Sequence, residues 1–397
     1  MAGIATLALA YIMSQFYRSF MAVLTPALTA ELGATKAELS LASGAWFIAF
    51  ALMQFIVGVS LDRYGPRVTA ALLLGFAGSG GAFLFAAATA PWMIVLSMIF
   101  IGIGCSPVLM ASYFLFARLY HPAKFAMLAS WMVGFGSAGN VIGASPLANA
   151  AEAFGWRPVM AGLAAVTLLI SVMIWFTVRD PREPEEGRPQ GGFAGYLDLM
   201  TIRWLWPIIP LVAVNNAAAA GIRGLWAGPY MADLHGADAL AIGHVTLMMA
   251  IAMVAGNFIY GPLDRLFGTR KWVAVAGCVI AVSAIAYLAL NPRAGAGAVT
   301  AAFVVIGLAG SSYGLMMAHA RAFVPAHLTG RGVTLMNFFA IGGTGVMQFV
   351  TGWVVTAAAD PGRPEASWQA LWTFYAVLLG GALLIYLTAR DAKPAKA

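Results

Sequence analysis

The sequence predicts an all-α membrane protein with twelve transmembrane helices, built from a six-helix unit that occurs twice. Hydrophobic residues make up 61% of the 397 residues and charged residues only 9%, whereas soluble domains carry about 25% charged residues. Apolar stretches of about 20 residues, the length that crosses a bilayer, recur along the whole chain. Patterns in the first half return in the second half at a nearly constant offset, which indicates an internal duplication.

The twelve apolar windows are separated by charged residues or by proline and glycine. Because the first window has no Lys or Arg before it and its apolar run is long, we expect a helix there and not a cleaved signal peptide. The long polar stretch at 179–203 is typical of a linker with a short amphipathic segment. The predicted helices lie at 4–28, 39–60, 69–89, 92–117, 126–148, 158–178, 204–229, 241–262, 272–290, 297–320, 333–356 and 369–389.

The distribution of basic residues predicts the topology. With both termini in the cytoplasm, 16 of the 22 basic residues fall in cytoplasmic segments and four in outer loops. Lys and Arg are enriched on the cytoplasmic side of membrane proteins. We therefore expect a multi-pass protein of a bacterial-type inner membrane with both termini cytoplasmic. The two remaining basic residues, Arg18 and Arg223, fall inside helices 1 and 7.

The repeat is clearest in the loops that follow helices 2 and 8. Residues 58–67 read GVSLDRYGPR, and residues 261–271 read GPLDRLFGTRK. A second pair of similar stretches lies at 103–122 and 306–325. Helices 1 and 7 each carry an arginine followed by proline and then by Ala-Glu-Leu or Ala-Asp-Leu. One six-helix unit has therefore been duplicated.

These features resemble the major facilitator superfamily. The similarity rests on the twelve spans, the charged middle linker, the duplicated GxxxDRxGxR loop and Gly-Trp-Arg at 155–157. The stretch FYRSFMAVLTP at 16–26 is similar to helix 1 of the organic anion and organophosphate branch. The resemblance implies the major facilitator fold: two pseudo-symmetric six-helix bundles at 1–178 and 204–397, a cytoplasmic linker at 179–203, a central cavity, and alternating access.

The same resemblance assigns a gating role to the duplicated loop. In the family's pattern, its aspartate and arginines form a cytoplasmic charge network that latches the outward-facing state. The alternative is that the arginines only anchor the loops on the cytoplasmic side. The residues that match are Gly58, Asp62, Arg63, Gly65 and Arg67 in the first loop and Asp264, Arg265 and Arg270 in the second, which has one extra residue before its glycine.

The two arginines inside helices indicate the substrate class. A lone arginine at mid-membrane costs about 2.5–3.5 kcal/mol and normally faces a cavity or a partner. All 15 acidic residues fall in loops or at helix ends, so no core carboxylate is expected beside Arg18 or Arg223. Two guanidinium groups about 8 Å apart would repel by roughly 2 kcal/mol, which a bound anion would relieve.

We therefore predict a secondary transporter of a small organic anion, a carboxylate or phosphate ester, and the resemblance implies that Arg18 and Arg223 clasp it. The alternative is that backbone carbonyls and polar side chains satisfy each arginine. Helical spacing places Tyr11, Ser14 and Gln15 on the face of Arg18, and Asn216, unlike Asn215, on that of Arg223. Tyr313 is a further candidate for the cavity wall.

The histidines and methionines of the chain bear on energy coupling and on the alternative functions. Without an embedded carboxylate, proton coupling would come from a histidine, for which His244 is the candidate, or from protonation of the substrate itself. The third alternative is that there is no proton coupling, as in an exchanger or uniporter. His244 and Met248 are four residues apart, and Met316, Met317 and His319 cluster in helix 10; thioether and imidazole groups are ligands that suit copper(I). A copper(I) importer is therefore one alternative function. An exporter of hydrophobic drugs is another. No enzyme motif, cofactor site or metal site is expected. The predicted partners are an anionic solute and the lipid bilayer, without nucleic acid, and the protein is expected to be monomeric.

Two glycine rows predict close helix contacts. Small residues let membrane helices approach closely, and such rows suit either an interface that repacks during transport or static packing. The rows are Gly134, Gly136, Gly139 and Gly143 in helix 5 and Gly342, Gly343, Gly345 and Gly352 in helix 11.

Overall fold

A computed structural model describes residues 2–119, 122–180, 194–325 and 329–392. Six helices make up the first half of the chain. They are α1 (Ala2–Phe16, continuing as Met21–Leu32), α2 (Lys36–Leu61), α3 (Arg63–Ala86), α4 (Pro91–Phe116), α5 (Pro122–Ile142, continuing as Ser145–Phe154) and α6 (Trp156–Thr177).

Six more helices make up the second half, after a short helix at Ala194–Met200 that corresponds to the amphipathic segment predicted in the linker. They are α7 (Ile209–Gly221, a π-helical segment Ile222–Trp226, and Ala227–His235), α8 (Ala239–Phe267), α9 (Lys271–Leu290), α10 (Ala296–Gly310, continuing as Tyr313–Arg321), α11 (Thr329–Ala357) and α12 (Ala366–Leu387). The predicted all-helical class and the order of helices are confirmed.

Nine of these helices, within the described residues, are long and apolar enough to cross a membrane, and the bent α1 makes a tenth. The other two are α5 and α7. In α5 the shorter apolar segment is Met132–Ile142, and α7 contains a π-helical segment, as α3 also does at Leu73–Ser79. The twelve predicted spans therefore correspond to twelve helices, several of which are irregular at mid-length, including α1, α3, α7 and α10.

The end of α1 and the start of α2 follow ordinary capping rules. The α1 helix ends at Gly33, whose φ of 65° is left-handed and favours glycine. Thr35 begins α2 with a capping box, in which its hydroxyl accepts from the Glu38 backbone N–H and the Glu38 carboxylate accepts from the Thr35 N–H. The junction of α2 and α3 is a kink at Gly65, with no longer loop between the helices.

The described chain forms two compact units. The first contains residues 1–184, 224–232 and 237–247, and the second contains 185–223, 233–236 and 248–397. The boundary between them passes through α7 directly after Arg223. In the first unit α1 packs against α5 and α6, with the Tyr17 hydroxyl 3.0 Å from the Thr167 hydroxyl.

Candidate functional site

Arg18 lies at a break in α1 and not inside a regular helix. Residues 17–20 form a turn between the two helical segments, whose axes differ by 52°. The Arg18 backbone N–H donates to the Gln15 carbonyl at 3.3 Å, which is a contact of the tighter i to i−3 kind. The break therefore presents the arginine at mid-helix, where the regular hydrogen-bond ladder is interrupted.

Two aromatic rings of α2 lie against the Arg18 guanidinium. Its central carbon is 5.4 Å from the ring centroid of Trp46 and 4.8 Å from that of Phe50. Both rings are buried, and they stack on each other at 5.1 Å with an interplanar angle of 19°. Aromatic faces attract a cation at this distance. The ion pairs among the described residues do not include Arg18.

The predicted neighbours of Arg18 occupy the preceding helical turns. Tyr11 is buried, and its ring packs against Gly136 of α5. Ser14 is buried beside the Cys105 thiol, and Gln15 is half-buried with its Cγ near Gly136. The prediction assumed a continuous helix, and this was wrong, because the helix ends at Phe16. Substrate contact by Tyr11, Ser14 and Gln15 stays a prediction.

Arg223 lies in the π-helical segment of α7, and its side chain is only 4% exposed. A π-helical turn adds a residue to the helix and shifts the faces that follow it, and such turns are frequent at functional sites. Within the first unit, the next residue, Gly224, lies against α1. A Cβ atom there would be 3.0 Å from the Arg18 carbonyl oxygen. Glycine at position 224 therefore permits the close approach of this residue to the break in α1.

The polar residues predicted near Arg223 make contacts inside the second unit. The Asn216 amide donates to the Thr344 hydroxyl at 3.1 Å. Asn215 is buried and donates to the Gly310 carbonyl. The Tyr313 hydroxyl donates to the side-chain carbonyl of Asn337 at 2.8 Å. Their roles in substrate binding stay predictions.

The first copy of the gating motif is tied to the end of α6. The Arg67 backbone N–H donates to Asp180 Oδ1 at 2.9 Å, and Arg67 Nε lies 3.5 Å from Asp180 Oδ2. Gly65 has φ 82° and ψ 167°, and a Cβ atom there would lie 2.5 Å from Asp180 Oδ1. Gly58 is helical with open space around it, and Arg63 is exposed over the Tyr64 ring. The Asp62 side chain lies outside the described part.

The second copy of the motif is also tied to an aspartate that follows the last helix of its half, which here is Asp391 after α12. Arg270 donates to the buried carboxylate of Asp264 at 3.1 Å. The Thr269 hydroxyl donates to Asp391 Oδ2 at 2.6 Å, and the Lys271 backbone N–H donates to Asp391 Oδ1 at 3.0 Å. The Arg265 side chain is not among those described. A role of either copy as a latch stays a prediction.

The electrostatics of Asp391 follow from these contacts. Partial burial raises the pKa of its carboxyl, but the hydrogen bonds from Thr269 and from the Lys271 backbone outweigh burial, so the net pKa is lowered. The carboxylate is therefore the form that stabilises the junction of α9 and α12.

The two aspartates were missed in the sequence, although a pattern marks them. Asp180 follows α6 in an Arg-Asp pair at 179–180, and Asp391 follows α12 in another at 390–391. Each carboxylate accepts a hydrogen bond from a backbone N–H at the start of the third helix of its half. The repeated dipeptide is a fourth trace of the duplication.

The glycine rows pack within single units. In α5, Gly136, Gly139 and Gly143 lie against α1, and a Cβ atom at Gly139 would overlap the Ile12 carbonyl. In α11, Gly343 lies against Ala213 of α7. Gly134, in contrast, has open space around it. Both alternatives for the glycine rows, an interface that repacks and static packing, require such close contacts, so the choice between them stays a prediction.

The two helix histidines differ in their surroundings. His319 is buried, with Nδ1 2.7 Å from the Tyr386 hydroxyl and Nε2 2.9 Å from the Arg390 carbonyl. Both ring nitrogens are thus engaged in hydrogen bonds, which disfavours the metal-ligand role considered for His319. His244, the proton-coupling candidate, is exposed on α8. Its role stays a prediction.

Comparison with known proteins agrees with the architecture. The profile of the Major Facilitator Superfamily matches residues 7–222 and again residues 193–397. A relative from Agrobacterium vitis named "Putative tartrate transporter" is 21% identical over 290 residues. The match covers 65% of this chain and 62% of that protein, so it spans less than two thirds of the relative's length.

Solved structures show the same fold. One is a bacterial homologue of the human lysosomal transporter Spinster in an inward-facing, occupied conformation, with TM-score 0.78 and 19% identity over 97% of this chain and 96% of that one. Another is a D-xylose–proton symporter, with TM-score 0.77 and 14% identity over 97% of each chain. Together with the duplicated helices and loops, these matches show that the chain belongs to the Major Facilitator Superfamily of membrane transporters.

Proposed function

We propose that this transporter moves a small organic anion, a carboxylate or a phosphate ester, across the inner membrane by alternating access, with Arg18 and Arg223 binding the anion. The observation that carries the proposal is the environment of the Arg18 side chain. Its guanidinium stands at a helix break, and among the described residues no carboxylate pairs with it. Its buried Nε also has no hydrogen-bond partner there. An anion supplies both the charge and the acceptors.

Two further facts support the choice of an anion. The second arginine, Arg223, is almost fully buried at the irregular segment of α7, and a buried charge normally marks a substrate pathway or a partner. In addition, the name of the curated relative refers to tartrate, which is a dicarboxylate. Arginine is suited to such ligands, because its planar donors match the two oxygens of a carboxylate.

A thermal-shift screen of the purified protein tests this proposal. The probes are L-tartrate, succinate, glycerol 3-phosphate, a hydrophobic cationic dye and copper(I). We expect one of the three anions to raise the melting temperature, and we expect Arg18→Gln and Arg223→Gln each to weaken that anion about a hundredfold, because charged hydrogen bonds contribute about 1.5–3 kcal/mol each.

Arg293→Gln is the matched control. It removes one arginine, in the segment between α9 and α10, whose side chain is 75% exposed and pairs with Glu365. Anion binding should be unchanged in this variant. Stabilisation by the dye or by copper(I) alone, retained in Arg18→Gln, would instead favour a drug exporter or a metal importer and would contradict the proposal.

His244 remains the proposed proton carrier. Proteoliposomes with an imposed pH gradient test it, because gradient-driven uptake should disappear in His244→Ala while anion exchange persists. Gradient-driven uptake that survives this substitution would exclude His244 as the carrier.

A further inference from the structure

Two aromatic rings, those of Trp46 and Phe50, lie against the Arg18 guanidinium. A carboxylate partner would hold the guanidinium in place, but it would also occupy the N–H groups that a substrate needs. Trp46 and Phe50 provide another way to hold a cation. An aromatic ring attracts the charge through its face and accepts none of the in-plane hydrogen bonds.

We propose that Trp46 and Phe50 position the Arg18 guanidinium by cation–π contact, so that its hydrogen-bond donors stay available for the substrate anion. This inference rests on the proposed function, since it assigns positioning residues to the same anion site. The two rings are one helical turn apart on α2, and both lie within 6 Å of the guanidinium carbon. Nε of Arg18 is buried without a hydrogen-bond partner among described residues.

The rings are themselves held rigidly, which a positioning role requires. Trp46 is fully buried and Phe50 is 4% exposed. Gly102 of α4 lies against the Trp46 backbone, where a Cβ atom would overlap the carbonyl. Phe47 packs edge-on against Trp46 at 4.9 Å. A rigid aromatic surface reduces the freedom that Arg18 loses when an anion binds, and this favours binding.

The contact also explains why arginine and not lysine would be needed. A guanidinium is planar, so its face can lie on a ring while its edge donates to a carboxylate. An ammonium group has no such division between face and edge. Arg18→Lys should therefore keep the positive charge but bind the anion at least tenfold more weakly.

Graded fluorination of Trp46 tests the proposal without changing the shape of the side chain. Each fluorine weakens the negative potential of the ring face, which is the source of the attraction. Trp46 would be replaced by mono-, di- and tetrafluorotryptophan, and the Kd for the anion that stabilises the wild type, among L-tartrate, succinate and glycerol 3-phosphate, would be measured. We expect Kd to rise stepwise, by roughly tenfold in total, since desolvated cation–π contacts have about this magnitude.

Pentafluorophenylalanine provides the paired control on the same helix. At Phe50 it should raise Kd, whereas at Phe47, whose ring packs edge-on against Trp46 and not against the Arg18 guanidinium, it should leave Kd unchanged. A Kd within twofold of wild type across the Trp46 series would overturn the proposal. A structural role alone would not produce a graded response, because the fluorinated rings retain the packing.

The failures of the two proposals are distinguishable. If Arg18→Gln abolishes anion binding while Trp46 fluorination has no effect, the proposed function stands and the positioning role is wrong. If Arg18→Gln binds the anion like the wild type, or if none of the three anions binds, the proposed function fails and the positioning role fails with it.

Discussion

Substitution of Gly65 tests the local structure of the gating motif. The backbone at Gly65, with φ 82° and ψ 167°, lies in a region that is essentially restricted to glycine. A residue with a Cβ atom is strained there by about 1–3 kcal/mol. We therefore expect Gly65→Ala to destabilise the protein through backbone strain even before any contact is considered.

The contact with Asp180 adds to this strain. The new Cβ atom would lie 2.5 Å from Asp180 Oδ1, so the carboxylate must move and lose its hydrogen bond to the Arg67 backbone N–H. The side chains of Arg67 and Asp180 are 41% and 31% exposed, so this loss costs only about 1 kcal/mol. The expected total for Gly65→Ala is about 2–4 kcal/mol.

Denaturant unfolding in detergent measures this cost, with Gly58→Ala as the matched control. Gly58 belongs to the same motif but is helical and has no atom within 4 Å of the added Cβ, so alanine there should be neutral or stabilising by up to about 1 kcal/mol. In an Asp180→Ala background the contact penalty should vanish while the strain persists. Equal stabilities of Gly65→Ala and Gly58→Ala would refute the reasoning.

Three further predictions concern stability. The pKa of Asp391 is lowered in the folded protein, so its carboxylate contributes to the free energy of unfolding. This contribution is fully present above the ordinary pKa near 3.8 and is lost as the pH falls through the lower folded value. Asp391→Asn should therefore destabilise the protein at pH 7, and the difference in stability between this variant and the wild type, measured by pH-dependent unfolding, should shrink below pH 4. Gly139→Ala should cost about 1–3 kcal/mol in denaturant unfolding by overpacking α5 against α1, whereas Gly134→Ala, with open space around it, should not destabilise; equal effects would contradict the packing. His319→Ala should cost about 1–3 kcal/mol by leaving buried groups unpaired, and His244→Ala should change thermal stability by less than about 0.5 kcal/mol; the reverse order would contradict the structure.

The helices and the duplication could be predicted from the sequence because both are visible in the order of residue types alone. Hydropathy depends only on the composition of each window, and a repeat is visible as similar letters at a constant offset. The helix irregularities could not be predicted in this way. No proline or glycine marks residues 17–20, and the break there coincides with buried rings, where Phe20 stacks on Phe16 at 5.6 Å and packs on Phe85 of α3 at 5.2 Å.

The candidate site was predictable only in part, for a similar reason. Counting charges identified Arg18 and Arg223, since an arginine in an apolar window is conspicuous in the sequence. Helical spacing names neighbours only on the same helix, so it could not find Trp46 and Phe50, which approach Arg18 from α2.

The aspartates after α6 and α12 are a different case. The repeated Arg-Asp pair is visible in the sequence, but Asp180 falls in the predicted linker and Asp391 lies after the last predicted helix. Their hydrogen bonds to the starts of α3 and α9 depend on tertiary structure.

The most direct test of the central claim is uptake of a radiolabelled anion, chosen as the best ligand among L-tartrate, succinate and glycerol 3-phosphate, into proteoliposomes. The wild type and Arg293→Gln should transport the anion at similar rates, and Arg18→Gln and Arg223→Gln should lose at least nine-tenths of the uptake. Uptake by Arg18→Gln and Arg223→Gln at the wild-type rate, or wild-type liposomes that take up none of the three anions, would contradict the account.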